Sequence, residues 1–309
     1  MSSRIAFITH PDCALHDMGA HHPERPARLA AISDRLIACG INNHLLHVDA
    51  PLVLAGQLAR VHTEAHIAAI EAAAPAVGLR YLDADTAMCA RTLHAAKRAA
   101  GAAIRAVDMV IGGEVECAFC SVRPPGHHAE HDRAMGFCLF NNIAVGVAHA
   151  LEQHGLERVA IVDFDVHHGN GTEDIFRDDE RVLMVSIFQH PFYPGSGIGG
   201  RSRRMVNIPL AAYGPPRDFR SAVTAHWLPA LHQFEPQMLF ISAGFDAHCE
   251  DEMAMLSLTE IDYAWVTCEI KRIAERYAQG RIVSVLEGGY ALSALGRSAA
   301  AHLKALGDF

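Results

Sequence analysis

The chain has 309 residues, of which half are hydrophobic and 20% are charged, and its formal net charge is −9 at pH 7. This composition suits a packed globular core and excludes a disordered or low-complexity chain. The acidic balance, with no run of Lys and Arg, argues against direct binding of nucleic acid or of an anionic membrane. Histidine is abundant, with 21 residues, and imidazoles titrate near neutrality and bind metals.

The first residues, MSSRIAFITH, contain an apolar stretch too short for a signal peptide or an anchor. No window approaches the roughly 18 consecutive apolar residues that a membrane span needs. Eight cysteines in so long a chain lack the density of a disulfide-stapled secreted fold. We therefore expect a soluble, cytoplasmic protein with reduced thiols.

Short runs rich in Val, Ile and Phe alternate with longer amphipathic stretches, a pattern typical of a parallel sheet flanked by helices. The predicted strands are Arg4–Thr9, Leu45–Val48, Ala118–Val122, Arg158–Phe164, Val182–Ile187, Met238–Ser242 and Ile282–Leu286. The predicted helices are Pro26–Cys39, Thr92–Ile111, Asn142–His154, Arg217–Phe234, Glu260–Ala278 and Leu292–Leu306. Because no linker or repeat divides the chain, we predict one α/β domain over residues 1–309 with a mostly parallel central sheet.

Polar segments rich in Gly and His follow several predicted strands. They are RPPGHHAEH at 123–131, DVHHGNG at 165–171, FQHPFYPGSG at 188–197, GFDAH at 244–248 and EGGY at 287–290. Ligands of open parallel sheets bind outside the carboxyl ends of the strands. These segments are therefore predicted to converge at one edge of the sheet.

Asp165 and His167 stand where an apolar strand is predicted to end, and residues two apart on an extended chain project to the same side. Asp246, in the turn after another strand, can supply a third ligand. Two carboxylates and one imidazole with an open fourth position make a plausible catalytic zinc site. Fe²⁺ or another divalent ion accepts the same donors, so the metal stays open.

The stiff loop before His127 and His128 can aim two adjacent imidazoles into a cleft. Asp163, predicted on the same strand as Asp165, offers a carboxylate that could hold one ring in its tautomer, and Asn170 could orient the other without adding charge. Histidines with unlike partners differ in proton affinity, so one accepts a proton and the other donates one.

Together these motifs resemble the histone deacetylase family, also called the acetylpolyamine amidohydrolase and acetoin-utilisation group. The resemblance begins at HPERP (22–26), includes GFCLFNNIAV (136–145) and LEGGY (286–290), and covers nearly the whole chain. LEGGY and the Asn of HHGNG are closest to class II and bacterial deacetylase-like amidohydrolases. The implied fold is the arginase/deacetylase-like α/β domain.

The resemblance implies zinc-dependent hydrolysis of a linear amide. Asp165, His167 and Asp246 would hold Zn²⁺, and His128 would be the general base for the attacking water. His127, paired with Asp163, would stabilise charge or protonate the leaving amine. Tyr290 would donate a hydrogen bond to the oxyanion, often the largest electrostatic contribution.

The same resemblance implies roles around the substrate. The expected contacts are Phe137 and Tyr193 as walls of a narrow tunnel, the Gly136 carbonyl as acceptor for the substrate amide, Asp85 at the rim and Arg28 along an exit channel for the acid product. A structural K⁺ would be bound by Asp163 and Ser186 together with the backbone of Asp165 and His167. Bacterial relatives are often dimers or tetramers, which leaves a homo-oligomer open.

Several alternatives follow from the same residues. A binuclear arginase-like ureohydrolase would need D-x-H-x-D, but Gly169 stands at the last position. A non-catalytic acyl-lysine binder would not need the whole set of ligands, histidines and Tyr290. A redox or structural metal role for the CxxC of Cys117 and Cys120 is disfavoured, because it has no second pair and lies in a predicted buried strand, where cysteine acts as a small hydrophobe.

The substrate is the least constrained part of the prediction. Met253 is apolar where polyamine-specific relatives can place a Glu, so we favour acyl-lysine proteins or peptides over small acylated amines such as acetylpolyamines. Most other histidines, for example His94, His149 and His302, are expected to be solvated or packed as neutral imidazoles.

Overall fold

The structure is a computed structural model that describes residues 5–199 and 202–308. The strands of its large sheet are β1 (Ile5–Thr9), β2 (Leu45–Asp49), β5 (Cys117–Cys120), β6 (Val159–Asp163), β7 (Val182–Gln189), β8 (Met205–Leu210), β9 (Met238–Ala243) and β10 (Ile282–Leu286). A separate antiparallel hairpin is formed by β3 (Leu79–Tyr81) and β4 (Ala87–Cys89). Arg4, the first residue of a predicted strand, lies outside the described residues.

The eight strands of the large sheet follow the order β2-β1-β5-β10-β9-β6-β7-β8, and each neighbouring pair is parallel. The inner strands β5, β6, β9 and β10 are buried along their whole length, as apolar strands covered on both faces should be. The predicted α/β domain with a mostly parallel sheet is thus confirmed.

Helices cover both faces of the sheet. They are α1 (Ala27–Ala38), α2 (Ala55–Leu58), α3 (Glu64–Ala73), α4 (Thr92–Ile111), α5 (Asn142–Glu152), α6 (Asn170–Phe176), α7 (Pro216–Ala222), α8 (Leu228–Phe234), α9 (Glu260–Tyr277) and α10 (Leu292–Gly307). A π-helical turn, Val223–Trp227, separates α7 from α8, so the predicted helix Arg217–Phe234 is not uniformly α-helical. No helix in the described ranges is long and apolar enough to cross a membrane.

Elements absent from the prediction have weak sequence signals. Strand β8 contains Pro209, which is tolerated because β8 is an edge strand with a single neighbour. Strand β3 is exposed throughout and shows no apolar alternation. Helix α6 begins at Asn170, inside a segment that the sequence presents as a polar loop.

Strand β6 ends earlier than predicted, and this difference affects the geometry of the candidate site. The strand ends at Asp163, so Asp165 and His167 lie in a bend and not on an extended strand. Their proximity comes from that bend, in which the backbone N–H of His167 donates to Asp165 Oδ1 at 2.9 Å.

Candidate active site

The loops after β5, β6, β7, β9 and β10, together with the turn between β3 and β4, line a cavity of about 200 Å³ at the carboxyl edge of the sheet. Its lining residues are Asp85, His128, Gly136, Phe137, His167, Phe192, Tyr193, Met253 and Tyr290. Segments far apart in the sequence therefore meet in one concave site, as expected for a parallel α/β sheet.

Asp165, His167 and Asp246 come together at this cavity, and each offers a ligand atom within 4.8 Å of the others. His167 Nδ1 lies 3.0 Å from Asp165 Oδ1 and 3.2 Å from Asp246 Oδ2. The ring hydrogen bond goes to Asp165, and the buried Oδ2 of Asp246 receives none from the described residues. A buried, unpartnered carboxylate oxygen fits a metal ligand better than a structural hydrogen-bond acceptor.

Charge in this cluster also fits a cation. Burial opposes a charged His167, but the Asp165 and Asp246 carboxylates outweigh it and raise the pKa of His167 to about 10. Burial together with the Asp165 charge raises the pKa of Asp246 to about 6. Positive charge between the two carboxylates is therefore favourable, and a divalent cation would supply it in place of the imidazole proton.

Two glycines make room for the carboxylates. A Cβ at Gly288 would lie 2.0 Å from Asp246 Oδ2 and 2.6 Å from Asp165 Oδ2. A Cβ at Gly244 would lie 2.1 Å from Asp165 Oδ2. The Gly in GFD and the first Gly in EGGY are thus required by close approach to the candidate ligands.

His127 and His128 lie side by side, with ring centroids 4.0 Å apart, and have different partners. His127 Nδ1 is 3.0 Å from Asp163 Oδ2, whereas His128 Nδ1 is 2.8 Å from Asn170 Oδ1. The amide of Asn170 is oriented by its donation to Glu130 Oε1 at 2.7 Å. The Asp163 and Asn170 oxygens are acceptors, so each favours a proton on the Nδ1 of its histidine. In a neutral His128, Nε2 then carries a lone pair that can accept a proton.

These partners separate the proton affinities of the two rings. Burial disfavours charge on His127, but Asp165 and Asp163 outweigh it and raise its pKa to about 10. Burial and the neighbouring rings of His127 and His167 hold the pKa of His128 well below its usual value. One histidine can therefore retain a proton at neutral pH while its neighbour stays free to accept one.

Tyr290 and Phe137 stand on the wall of the cavity, with rings 6.0 Å apart and edge to face. Burial raises the pKa of the Tyr290 hydroxyl well above its usual value despite the charge of Arg28, so the hydroxyl remains a donor. Phe137 adopts a left-handed φ of 69°, and its N–H donates to Thr86 Oγ1 at 3.0 Å. A Cβ at Gly136 would lie 2.5 Å from the His128 ring, so only glycine fits there.

Other predicted residues take different positions. Asp85, Tyr193 and Met253 line the cavity, whereas Arg28 is fully buried outside its lining. The Arg28 guanidinium lies 4.9 Å from the Tyr290 ring centroid and donates from Nε to the Gly289 carbonyl at 2.6 Å. Arg28 therefore contacts both the Tyr290 ring and the backbone next to it.

Ser186 faces Asp163 in register across β6 and β7, and its buried hydroxyl has no hydrogen-bond partner among the described residues. Ser242, on the opposite neighbour β9, is also in register with Asp163 and also unpartnered. Asp163 is thus flanked by two buried hydroxyl groups that are available to a further ligand.

Comparison with known proteins gives a consistent assignment. The protein-family model described as the histone deacetylase domain matches residues 22–306 of this chain. A probable deacetylase from Archaeoglobus fulgidus is 37% identical over 294 residues, covering 93% of this chain and 81% of that protein. A histone deacetylase-like amidohydrolase from Pseudomonas aeruginosa is 35% identical over 314 residues, covering 94% of this chain and 82% of that protein. The chain belongs to the histone deacetylase family.

A solved structure agrees with this assignment. The crystal structure of the HDA15 HD domain matches with a TM-score of 0.92 and 35% identity, covering 99% of this chain and 90% of that chain. The resemblance predicted from the motifs is therefore confirmed, and membership of the histone deacetylase family makes the chain a hydrolase of the deacetylase type.

The geometry at Gly169 also argues against the alternative of a binuclear arginase-like site. A Cβ at Gly169 would lie 2.3 Å from Asp163 Oδ2 and 3.2 Å from His127 Nδ1. The position has no space for the additional carboxylate that a D-x-H-x-D pattern would supply.

Glu287 also contributes to this site, although no role was predicted for it from the sequence. Its buried Oε2 accepts from the backbone N–H of Gly126 at 2.7 Å and of His127 at 3.1 Å. Burial raises the pKa of Glu287 to about 7. Since β10 pairs with β5, the Glu of LEGGY is brought against the histidine loop, a contact that no local pattern reveals.

Asp251 is a second residue that the sequence analysis missed. One oxygen, Oδ2, accepts from the backbone N–H of Tyr290 at 2.6 Å and of Ala291 at 3.0 Å. The other, Oδ1, accepts from the N–H of Met253 at 3.0 Å. A single buried carboxylate thus fixes both the Tyr290 segment and a residue of the cavity rim.

Proposed function

We propose that the chain is a zinc-dependent amidohydrolase that removes acetyl or other acyl groups from the lysine side-chain amine of proteins or peptides. The observation that carries the proposal is the cluster of Asp165, His167 and Asp246 beside a cavity that also presents His128 and Tyr290. This combination offers a cation site, a proton acceptor and a hydrogen-bond donor around one small volume.

The donors support zinc at this position. Two carboxylates and one imidazole leave a coordination position open, as catalytic zinc sites do. The unpartnered Asp246 oxygen and the tight space at Gly288 support a bound cation. Fe²⁺ takes the same donors, so metal analysis is part of the test. When bound, the metal would supply a Lewis acid that polarises the amide carbonyl and lowers the pKa of a water molecule.

The residues of the chain divide the proton transfers. His128, neutral and oriented by Asn170, would accept a proton from the attacking water. His127, charged and paired with Asp163, would stabilise developing charge or give a proton to the leaving amine. The Tyr290 hydroxyl would donate to the oxyanion, and loss of one such donor costs on the order of 10²–10³ in rate.

We also propose a structural K⁺ held by Asp163 and Ser186 with the backbone of Asp165 and His167. The buried Ser186 hydroxyl without a partner supports this site. A cation there would lie next to the carboxylate that orients His127, and removal of K⁺ is expected to lower both stability and activity.

Substrate contacts follow from the cavity lining. Phe137 and Tyr193 would flank the alkyl chain of an acyl-lysine, and the Gly136 carbonyl would accept from its amide N–H. Met253 adds apolar surface at the same cavity. A second candidate, an acetylated polyamine, is favoured by the Asp85 carboxylate, which could attract a second ammonium group.

The test combines metal analysis with a substrate panel. We expect kcat/KM to be higher for an acetyl-lysine peptide and for longer acyl-lysine peptides than for acetylspermidine, and a clear polyamine preference would overturn the lysine assignment. Tyr290→Phe and His128→Ala should each lose most activity while keeping the metal. Full amidase activity in both variants with metal bound would refute the mechanism.

A further inference from the structure

We propose that Asp108, His149 and His154 form a second divalent metal site that takes a borderline transition metal such as Zn²⁺ or Ni²⁺. Asp108 lies in the last turn of α4, His149 in the last turn of α5, and His154 in the turn that follows α5. Each offers a ligand atom within 4.8 Å of the others. None of the three lines the active-site cavity, and the proposal is independent of the catalytic function.

The three donors are already close to the spacing of a metal site. Nε2 of His149 and Nε2 of His154 each lie 2.8 Å from the same atom, Asp108 Oδ1. Ligand atoms around one tetrahedral zinc lie roughly 3.4 Å apart, given bonds of about 2.0–2.2 Å. An opening of about half an ångström would place a metal among them, and imidazole with carboxylate is a donor set that suits Zn²⁺ and Ni²⁺.

The backbone holds these side chains in place. A Cβ at Gly146 would lie 3.1 Å from the Ala103 Cβ, so α4 and α5 approach closely just before the cluster. Gly155, with a φ of 66°, turns the chain after His154, and Leu156 N–H bonds back to the Ala150 carbonyl at 3.2 Å. Metal binding would therefore cost little conformational entropy, because the ligand side chains are already held near one another.

The electrostatic environment favours a cation. The carboxyl ends of α4 and α5 meet at the cluster, and each carries the partial negative charge of the helix dipole. The Asp108 side chain is 41% exposed and that of His154 is 23% exposed, whereas His149 is buried. Water can therefore complete the coordination from the open side.

Arg60 is the group that competes with the metal. Its Nη1 lies 3.0 Å from His149 Nδ1 and can only donate, so it holds the proton of a neutral His149 on Nε2, the atom that would bind the metal. Metal binding requires the opposite tautomer, and Arg60 must turn away. It has room to do so, because it is exposed and lines an open cavity of about 460 Å³. Loss of Arg60 should therefore tighten metal binding.

The test is a calorimetric titration of the protein with its catalytic metal in place, using Zn²⁺ and, separately, Ni²⁺. We expect a second equivalent to bind to the unmodified protein and to raise its Tm. Binding should weaken at least tenfold in Asp108→Asn and in His154→Gln, and should tighten in Arg60→Ala. His94→Gln removes an exposed imidazole from α4 outside the cluster and should leave binding unchanged.

Circular dichroism would establish that the variants fold, and deacetylase activity should stay at the level of the unmodified protein in Asp108→Asn. The proposal is overturned if no second equivalent binds. It is also overturned if the second equivalent persists with unchanged affinity in both Asp108→Asn and His154→Gln, because the metal would then bind elsewhere.

Discussion

Asp251 should control the position of Tyr290 although it does not touch the cavity that we assign to substrate. Its carboxylate accepts three backbone N–H groups, from Met253, Tyr290 and Ala291, and it is 5% exposed. In Asp251→Ala these donors lose a charged acceptor. Hydrogen bonds to charged groups contribute about 1.5–3 kcal/mol each, so we expect a loss of about 2–5 kcal/mol in the free energy of unfolding after partial rehydration.

The effect on catalysis should be separate from that loss. A displacement of about 1 Å can lower a rate by about 10²-fold, and complete loss of an oxyanion donor costs on the order of 10²–10³. We therefore expect kcat to fall by about 10- to 100-fold in Asp251→Ala, with the metal retained and KM changed less. Asp251→Asn should be intermediate, since one amide oxygen can still accept two of the donors.

Steady-state kinetics with an acetyl-lysine peptide, metal analysis and urea unfolding would measure these quantities. Glu250→Gln is the matched control, because the neighbouring Glu250 is exposed and pairs with Arg297 at 2.6 Å. An Asp251→Ala protein that is folded, holds its metal and has an unchanged kcat would refute the reasoning.

Other consequences can be tested in the same way. Gly169→Ala should lower kcat by about 10²-fold, because the added Cβ would lie 2.3 Å from Asp163 Oδ2 and displace it; unchanged kinetics would contradict this. Glu24→Gln should cost about 3–5 kcal/mol in urea unfolding, since it leaves the buried Arg123 guanidinium without its carboxylate. Burial lowers the pKa of His302 to about 3, so the folded state resists its protonation. The contribution of neutral His302 to the free energy of unfolding should be fully present above pH 6.5 and fall by about 1.4 kcal/mol per pH unit as the pH drops toward 3. His302→Gln should reduce this slope in unfolding measurements at several pH values.

The fold and much of the candidate site follow from local sequence signals. Apolar runs locate the inner strands, and the Gly, His and Asp residues at their ends mark the edge where the cavity lies. The spacing of Asp165 and His167 predicted that their side chains lie close together. They do, but the cause is a bend and not strand geometry, and the shared ion stays a prediction. These signals are readable because each is confined to a few consecutive residues.

Contacts between distant segments could not be predicted in this way. Glu287 acts through Gly126 and His127, which become its neighbours only when β10 pairs with β5. His149 is buried and its pKa is lowered, as expected for a packed neutral imidazole, but its contact with Asp108 on another helix was not predicted. Strand β8 was not predicted, because it contains Pro209 and proline normally argues against a strand.

Reconstitution of activity tests the central claim most directly. Protein stripped of metal and titrated with Zn²⁺ should regain hydrolysis of an acetyl-lysine peptide in proportion to the first equivalent added. Asp246→Asn, which removes a charge from the buried ligand cluster, should regain little activity at the same zinc concentration. Full activity in the stripped protein, or in Asp246→Asn without added metal, would contradict metal-dependent deacetylation by this site.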